Sequence, residues 1–363
     1  MTVSTAETLP PAAVATKSSR LKAMRALLIG GNGFIGPHVA AAFEREGHEV
    51  VLFHRRPSAG SRRREIIGDR QRLAEYRDQL RALQPDVVVD LILSSGRQAR
   101  ELMDVFRGAT GRVIAISSGD VYRACGVLHG SEPGPLEPVP LTEASPLRTT
   151  LQTYPPDRIA MLQQVFGWLD DEYDKIPVER EILGDAELAG TVLRLPMVFG
   201  PGDRLRRLLP LVKRFDDGRP AILFEEKLSR WRAPRGYVEN VAAAIALAAI
   251  NPRAAGRIYN VGDSNFSELE WAQRVAAVAG WRGEFVTMPK ERMPAHLLMP
   301  GNTEQHWSTD TTRIREELGY REPIAQEEAI RRTIEWERAN PTESSPHAFD
   351  YAAEDAALTA LST

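Results

Sequence analysis

The chain has 363 residues, 43% of them hydrophobic and 26% charged, with a formal net charge of -3. That is enough chain for one large domain or two smaller ones. The near balance of charge excludes a global basic field for nucleic acid, and no apolar run reaches the length of a membrane span. The one cysteine, Cys125, excludes an internal disulfide and fits a reducing, cytoplasmic compartment.

Residues 1–24 lack the apolar core of a secretory signal and read as a flexible extension. The first ordered pattern is "RALLIGGNGFIGPHVAAAFEREGHEVVLFHRR", Arg25 to Arg56. "ALLIG" reads as a buried parallel strand. Glycines follow at Gly30, Gly31, Gly33 and Gly36, with Phe34 and Ile35 between the last two. A helical pattern and a second strand, "EVVLFHR", complete a strand, glycine turn, helix and strand, the context that a dinucleotide fingerprint needs. Glycines let the backbone approach a pyrophosphate, and the helix start offers it unpaired N–H groups.

The second strand ends at His54, Arg55 and Arg56, with no carboxylate to accept from the ribose of NAD. Arginine suits a 2′-phosphate, so NADP is expected over NAD. Strands "REIIGD", "PDVVVDLIL" and "GRVIAISS" follow, separated by helical stretches. The alternation predicts a doubly wound, Rossmann-type parallel sheet with its ligand at the carboxyl ends of the strands.

With these segments the chain resembles the extended short-chain dehydrogenases/reductases, the NAD(P)-dependent epimerase/dehydratase group. Gly30, Gly33 and Gly36 have the spacing of that group's glycine signature. "ISSGDVYR", "LTEASPLR", "VLRLPMVFGPGD", "RGYVENVAAAIALA", "IYNVGD" and "TDTTRIREELGYREPIAQEEAIRRTIEW" resemble its later landmarks, over about Ala26 to Trp336. The resemblance implies a smaller C-terminal substrate lobe. Its expected bounds are 25–196 for the nucleotide domain, completed by about 236–263, with 197–235 and 264–340 in the lobe and 341–363 as a tail. It implies that Ser118 hydrogen-bonds the reacting oxygen, that Lys175, with Glu179 a turn on, holds the nicotinamide ribose and lowers the pKa of a catalytic tyrosine, that Asp69 sits by the adenine, and that Leu91, Pro196 and Val198 line the cofactor. It also implies a homodimer built on helices of the nucleotide domain, supported by the apolar pattern in "VFGWLDDEYDKIPVEREIL".

The group's tyrosine stands one helical turn before its lysine, and that position here is Asp171. Tyr173 lies two residues before Lys175. Pro177 is tolerated only in a helix's first turn, so the helix is expected to begin close to Asp171, capped by Asp171 or Asp174. Tyr173 would then point into the cleft toward Ser118. Three readings stay open: Tyr173 takes the acid/base role, Asp171 or another tyrosine (Tyr122 or Tyr154) serves, or the redox step is lost. Asp120 stands where dehydratases of this group carry a glutamate, and it either removes a proton or caps a turn.

The stretch from Ala124 to Asp174 is long and rich in proline and glycine, as functional loops tend to be. Arg148, Arg158 and His129 in it, and Arg204, Arg206, Arg207, Trp231 and Arg232 in the second lobe, are candidate substrate contacts; each is otherwise an ordinary surface side chain. Ser267 and Glu270 form a capping box that reads as structural. The histidines, His296, His306 and His347 among them, show no metal-ligand spacing, so no metal is expected. The leading reading is an NADP-dependent epimerase, dehydratase or reductase acting on a small polar substrate such as a sugar or nucleotide sugar. The alternative is a non-catalytic nucleotide-binding regulator or RNA-associated protein on the same fold.

Overall fold

The structure, a computed structural model, describes residues 23–58, 60, 62–152, 154–341 and 349–361. Nearly all of the expected N-terminal extension, part of the expected tail and His347 lie outside the described residues. Eleven strands occur among the described residues: β1 Arg25–Ile29, β2 Glu49–His54, β3 Arg64–Ile67, β4 Val87–Asp90, β5 Arg112–Ser118, β6 Gly190–Leu195, β7 Met197–Phe199, β8 Ala221–Glu225, β9 Arg235–Tyr237, β10 Ile258–Asn260 and β11 Glu284–Met288. Seven of them form a parallel sheet in the order β10-β6-β5-β4-β1-β2-β3.

The apolar runs expected to be buried strands are buried on both faces. Every residue of β4 and β6 is buried. Because side chains alternate along a strand, Leu28, Val50 and Val89 join one core with Phe43 and Val241, while Leu27, Val51 and Val88 join the other with Leu102 and Ile182. Helices Gly36–Arg45 and Val238–Ile250 cover the first face, and Gly96–Phe106 and Lys175–Gly184 the second. The strand order reverses between β1 and β4, which opens a crevice at their carboxyl ends.

The smaller lobe pairs β8 with β11 and carries helices Leu209–Asp216, Glu268–Ala279 and Gln326–Ala339. The Ser267–Glu270 capping box is present, and Glu270 also holds Arg232. The C-terminal segment, for which no core role is expected, forms a helix, Tyr351–Thr359. Its Glu354 is buried against Arg214, with an Nε–Oε2 distance of 3.1 Å.

The stretch from Ala124 to Asp174 contains two helices, Arg123–His129 and Pro156–Val165, rather than a continuous loop. The apolar side chains that suggested a dimer face, Ile176, Val178 and Ile182, are fully buried within this chain. Outside them, Arg100 and Glu181 make a surface ion pair.

Candidate active site

At the end of β1 the backbone turns at Gly30 with φ +78, where a Cβ would lie 2.6 Å from Ile92 Cγ2. A Cβ at Gly36 would lie 2.4 Å from the Gly31 carbonyl carbon, so helix Gly36–Arg45 can start this close to the turn only with glycine there. The helix has no side-chain cap, Pro37 has no N–H to offer, and His38 donates to Ile35 O at 3.1 Å, so the N–H groups left for an anion are those of the turn up to Gly36. Cleared backbone and an uncapped helix start fit a pyrophosphate.

Around this turn lies a groove of about 420 Å3. Gly30, Gly33, Phe34, Ile35, Gly36, Arg55, Arg56, Asp69 and Leu91 all line it. Arg55 and Arg56 are exposed, and neither has a carboxylate partner among the described residues. Asp69 caps the next turn by accepting from the Gln71 N–H at 3.0 Å. The groove's outer wall is formed by Gln164 to Trp168 and Arg204. Arg204, expected at the substrate, stands here instead, and Trp168 carries no sequence signal, because nothing local in a proline-rich stretch shows where it folds back.

The catalytic candidates come together beside the groove. The helix begins at Lys175, later than expected, and Asp174 rather than Asp171 caps it by accepting from the Ile176 N–H at 2.8 Å. Pro177 is thus its third residue and lies in the first turn, where proline costs little. Tyr173, just ahead of the cap, is free of helical geometry and turns inward. Its Oη donates to Asp120 Oδ2 at 2.9 Å. Asp120 is 2% exposed, and its Oδ1 has no hydrogen-bond partner. The Asp120 N–H donates to Ser118 Oγ at 3.2 Å. Tyr173 and Ser118 are therefore linked through Asp120 rather than by a bond of their own. Lys175 Nζ donates to Ile116 O at 2.9 Å and to Leu93 O, and lies 5.7 Å from the centroid of the Tyr173 ring.

Burial dominates the charges. It pulls Lys175 down to about 8, against the attraction of Asp120, Asp90 and Glu179. It pushes Asp120 above the usual carboxylate range, against Arg148, Tyr173 and Lys175. The expectation that Lys175 lowers the tyrosine pKa is reversed: burial, then the negative charge of Asp120, hold Tyr173 well above an ordinary phenol. Tyr173 thus keeps its proton, and Asp120 is the group beside it with raised proton affinity.

The other tyrosine-site candidates stand elsewhere. Asp171 is exposed and accepts from Gln163 Nε2 at 2.7 Å. Tyr122 is fully buried and donates to Asn260 Oδ1 at 2.6 Å. Tyr154 packs beside Tyr173, ring centroids 6.0 Å apart, with His129 on its far side. Glu179 accepts from Arg194 Nη2 at 2.6 Å and from Ser117 Oγ at 2.6 Å, which fixes the helix of Lys175 to β5 and β6. Arg148 is buried on Asp120 O and the Asp174 carboxylate. Trp231 is buried with Nε1 on Gln305 O at 2.9 Å, and Arg232 pairs with Glu270 at 2.9 Å. Those bonds hold loops together. Pro196 and Val198 sit at the β6–β7 junction and do not line the groove. Arg158 is exposed, and Arg206 is held by Glu337.

A second cavity, about 310 Å3, lies in the smaller lobe among Met197, Phe199, Leu223, Phe224 and Trp271. Its arginines are already engaged: Arg207 with Asp203, Arg214 with Glu354 and Arg235 with Glu268. Among the described residues no group of histidine, cysteine, aspartate and glutamate side chains could hold a metal ion, and no helix is long and apolar enough to cross a membrane.

A family model for the NAD dependent epimerase/dehydratase family matches residues 26–262. The chain belongs to that family. A dTDP-glucose 4,6-dehydratase of Streptomyces niveus is 29% identical over 153 residues, 41% of this chain and 42% of that protein; the match thus spans less than half the length of that relative. Among solved structures, MoeE5 in complex with UDP-glucose and NAD shares the fold with a TM-score of 0.61 at 23% identity, over 87% of this chain and 99% of that one. A dTDP-glucose 4,6-dehydratase from Bacillus anthracis in complex with NAD gives a TM-score of 0.62 at 15% identity, over 88% and 97%.

Proposed function

We propose that this chain is an NADP(H)-dependent oxidoreductase acting on a hydroxyl-bearing or carbonyl carbon of a small polar substrate, a sugar or nucleotide sugar, with Tyr173 and Asp120 moving the proton. The observation that carries this reading is the part-buried 2.9 Å hydrogen bond from Tyr173 Oη to Asp120 Oδ2, with Ser118 Oγ on the Asp120 N–H and Lys175 Nζ 5.7 Å from the centroid of the Tyr173 ring. When held in the groove, a nicotinamide cofactor would supply the hydride chemistry at the substrate carbon. The chain handles the proton at the substrate oxygen. In the oxidative direction the substrate hydroxyl gives its proton to Tyr173 Oη as that phenol passes its own to Asp120 Oδ2. In the reductive direction the same protons move back. An acceptor whose proton affinity is raised toward the working pH suits this role better than an ordinary carboxylate. Ser118 Oγ orients the substrate oxygen.

The groove's glycine turn and helix start would hold the pyrophosphate, and Asp69 and Leu91 would line the adenosine half. Arg55 and Arg56, exposed and without carboxylate partners, favour a ribose 2′-phosphate, because a guanidinium fork donates to phosphate oxygens in fixed geometry. The sugar reading is supported by family membership and by the UDP-glucose named for MoeE5. The test is a panel of UDP- and dTDP-sugars with NADP or NADPH, followed by product mass and by nicotinamide absorbance. Turnover of at least one, lowered about 10²–10⁴-fold by Tyr173→Phe, is the expected result. A Phe variant as active as the parent would sink the assignment of Tyr173.

A further inference from the structure

The groove described above ends at a wall that the chain builds from the stretch ahead of the lysine's helix. Gln164 to Trp168 line it, whereas Ser118, Tyr173 and Lys175 do not. The indole of Trp168 stands between the two: its centroid is 6.0 Å from Lys175 Nζ, on which the Tyr173 ring also bears. Lys175 is the side chain to which the family resemblance gives the nicotinamide ribose. In this conformation it is shared by two aromatic rings and two backbone carbonyls.

The wall is lightly held. Helix Pro156–Val165 has no buried residue. Its end is tied to the body by the Arg204 guanidinium, which donates to Val165 O at 3.1 Å in an exposed bond. At Gly167 even a Cβ would come 3.3 Å from Arg55 Nη2. Firm attachment resumes at Asp170, whose N–H donates to Ser94 Oγ at 3.0 Å and whose carboxylate accepts from Ser95 Oγ at 3.0 Å. On the other side the Gln152 N–H donates to Asp174 Oδ2 at 2.6 Å and Tyr154 packs beside Tyr173, so the segment is anchored at both ends and lightly held between them. Such a segment, carrying an aromatic at the junction of groove and catalytic cluster, is built to move as a flap.

We propose that Trp168 gates the nicotinamide end of the groove: its indole and the nicotinamide riboside compete for the space over Lys175, and the flap over 155–168 swings to admit the cofactor. The proposal rests on the reading of the groove as a dinucleotide site. It differs from a plain wall in one consequence. A ligand's apparent affinity is reduced by the fraction of molecules in the competent state, so removing the indole should tighten binding only of ligands that reach Lys175.

The experiment compares parent, Trp168→Ala and Trp168→Phe by calorimetry, with NADPH and with its adenosine half, 2′-phospho-ADP, as probes. Trp168 is half-buried, so its truncation leaves the core intact. The expected result is equal affinity of all three proteins for 2′-phospho-ADP, with NADPH bound about fivefold tighter by Trp168→Ala and near parent strength by Trp168→Phe. Equal or weaker NADPH binding by Trp168→Ala, with 2′-phospho-ADP unchanged, would overturn the gate and leave the nucleotide site standing. If none of the proteins binds either probe, the nucleotide reading fails and the gate fails with it.

Discussion

Replacing Asp120 with asparagine separates the cost of the site from its chemistry. Asp120 is buried, and burial raises its proton affinity above that of an exposed carboxyl, against Arg148, Tyr173 and Lys175. A carboxyl that binds its proton more tightly folded than unfolded makes the folded state bind more protons. Stability is therefore lost as the pH rises from the ordinary value of 3.8 through the raised folded value, and the full cost stands above it. Each tenfold excess in proton affinity costs about 1.4 kcal/mol at neutral pH. Asparagine keeps an oxygen for Tyr173 and removes the charge. Its amide group takes the place of Oδ1, which already lacks a partner, so an unmet donor replaces an unmet acceptor at similar cost. Urea denaturation at about pH 7 and about pH 4 should show the variant gaining on the parent at the higher pH relative to the lower. A difference that does not change with pH, or one that favours the parent more at pH 7, would refute the reasoning. The same variant should lose about 10²–10⁴-fold in turnover, because the proton acceptor is gone.

Tyr173→Phe should leave NADPH affinity within about threefold of the parent while turnover collapses, since the phenol oxygen bonds Asp120 and the side chain does not line the groove; an equal loss in affinity would place it in the cofactor site instead. Arg55→Ser with Arg56→Ser should weaken NADPH by about 1–3 kcal/mol for each charge-assisted hydrogen bond removed and leave NADH nearly unchanged, read by calorimetry; a parent that binds the two equally contradicts the preference. Glu179→Gln should destabilise the fold by about 3–5 kcal/mol in urea, because it leaves Arg194 buried without its countercharge; a loss below about 1 kcal/mol would show that the ion pair adds little.

The fold was legible because its signals are local. β1, the turn at Gly30 and the helix after it lie within one short stretch, and the positive φ at Gly30 is what a glycine there announces. The late start of the lysine's helix was also local: Pro177 demands a first turn, and Asp174 supplies the cap. What escaped was set by residues distant in sequence. Tyr173 meets Asp120 across 53 residues, so the sequence could name both but place Tyr173 only toward Ser118. Burial then reversed the expected sign of the tyrosine's pKa, which no spacing reveals. Arg148, Trp231 and Arg232 look like ligand-binding side chains in the sequence, and the fold uses them to tie loops. Trp168 and Glu354 carry no pattern of their own; one closes a groove and the other neutralises a buried arginine.

The proposed function stands or falls on Tyr173, backed by Asp120, being the group that exchanges the proton with the substrate oxygen. A crystal structure of the chain with NADP and a sugar substrate tests it most directly. The account predicts Tyr173 Oη within hydrogen-bond reach of the reacting oxygen and still donating to Asp120, with Ser118 Oγ on the other side of that oxygen. Tyr154 or Asp171 in that position, with Tyr173 packed away from the substrate, would contradict it.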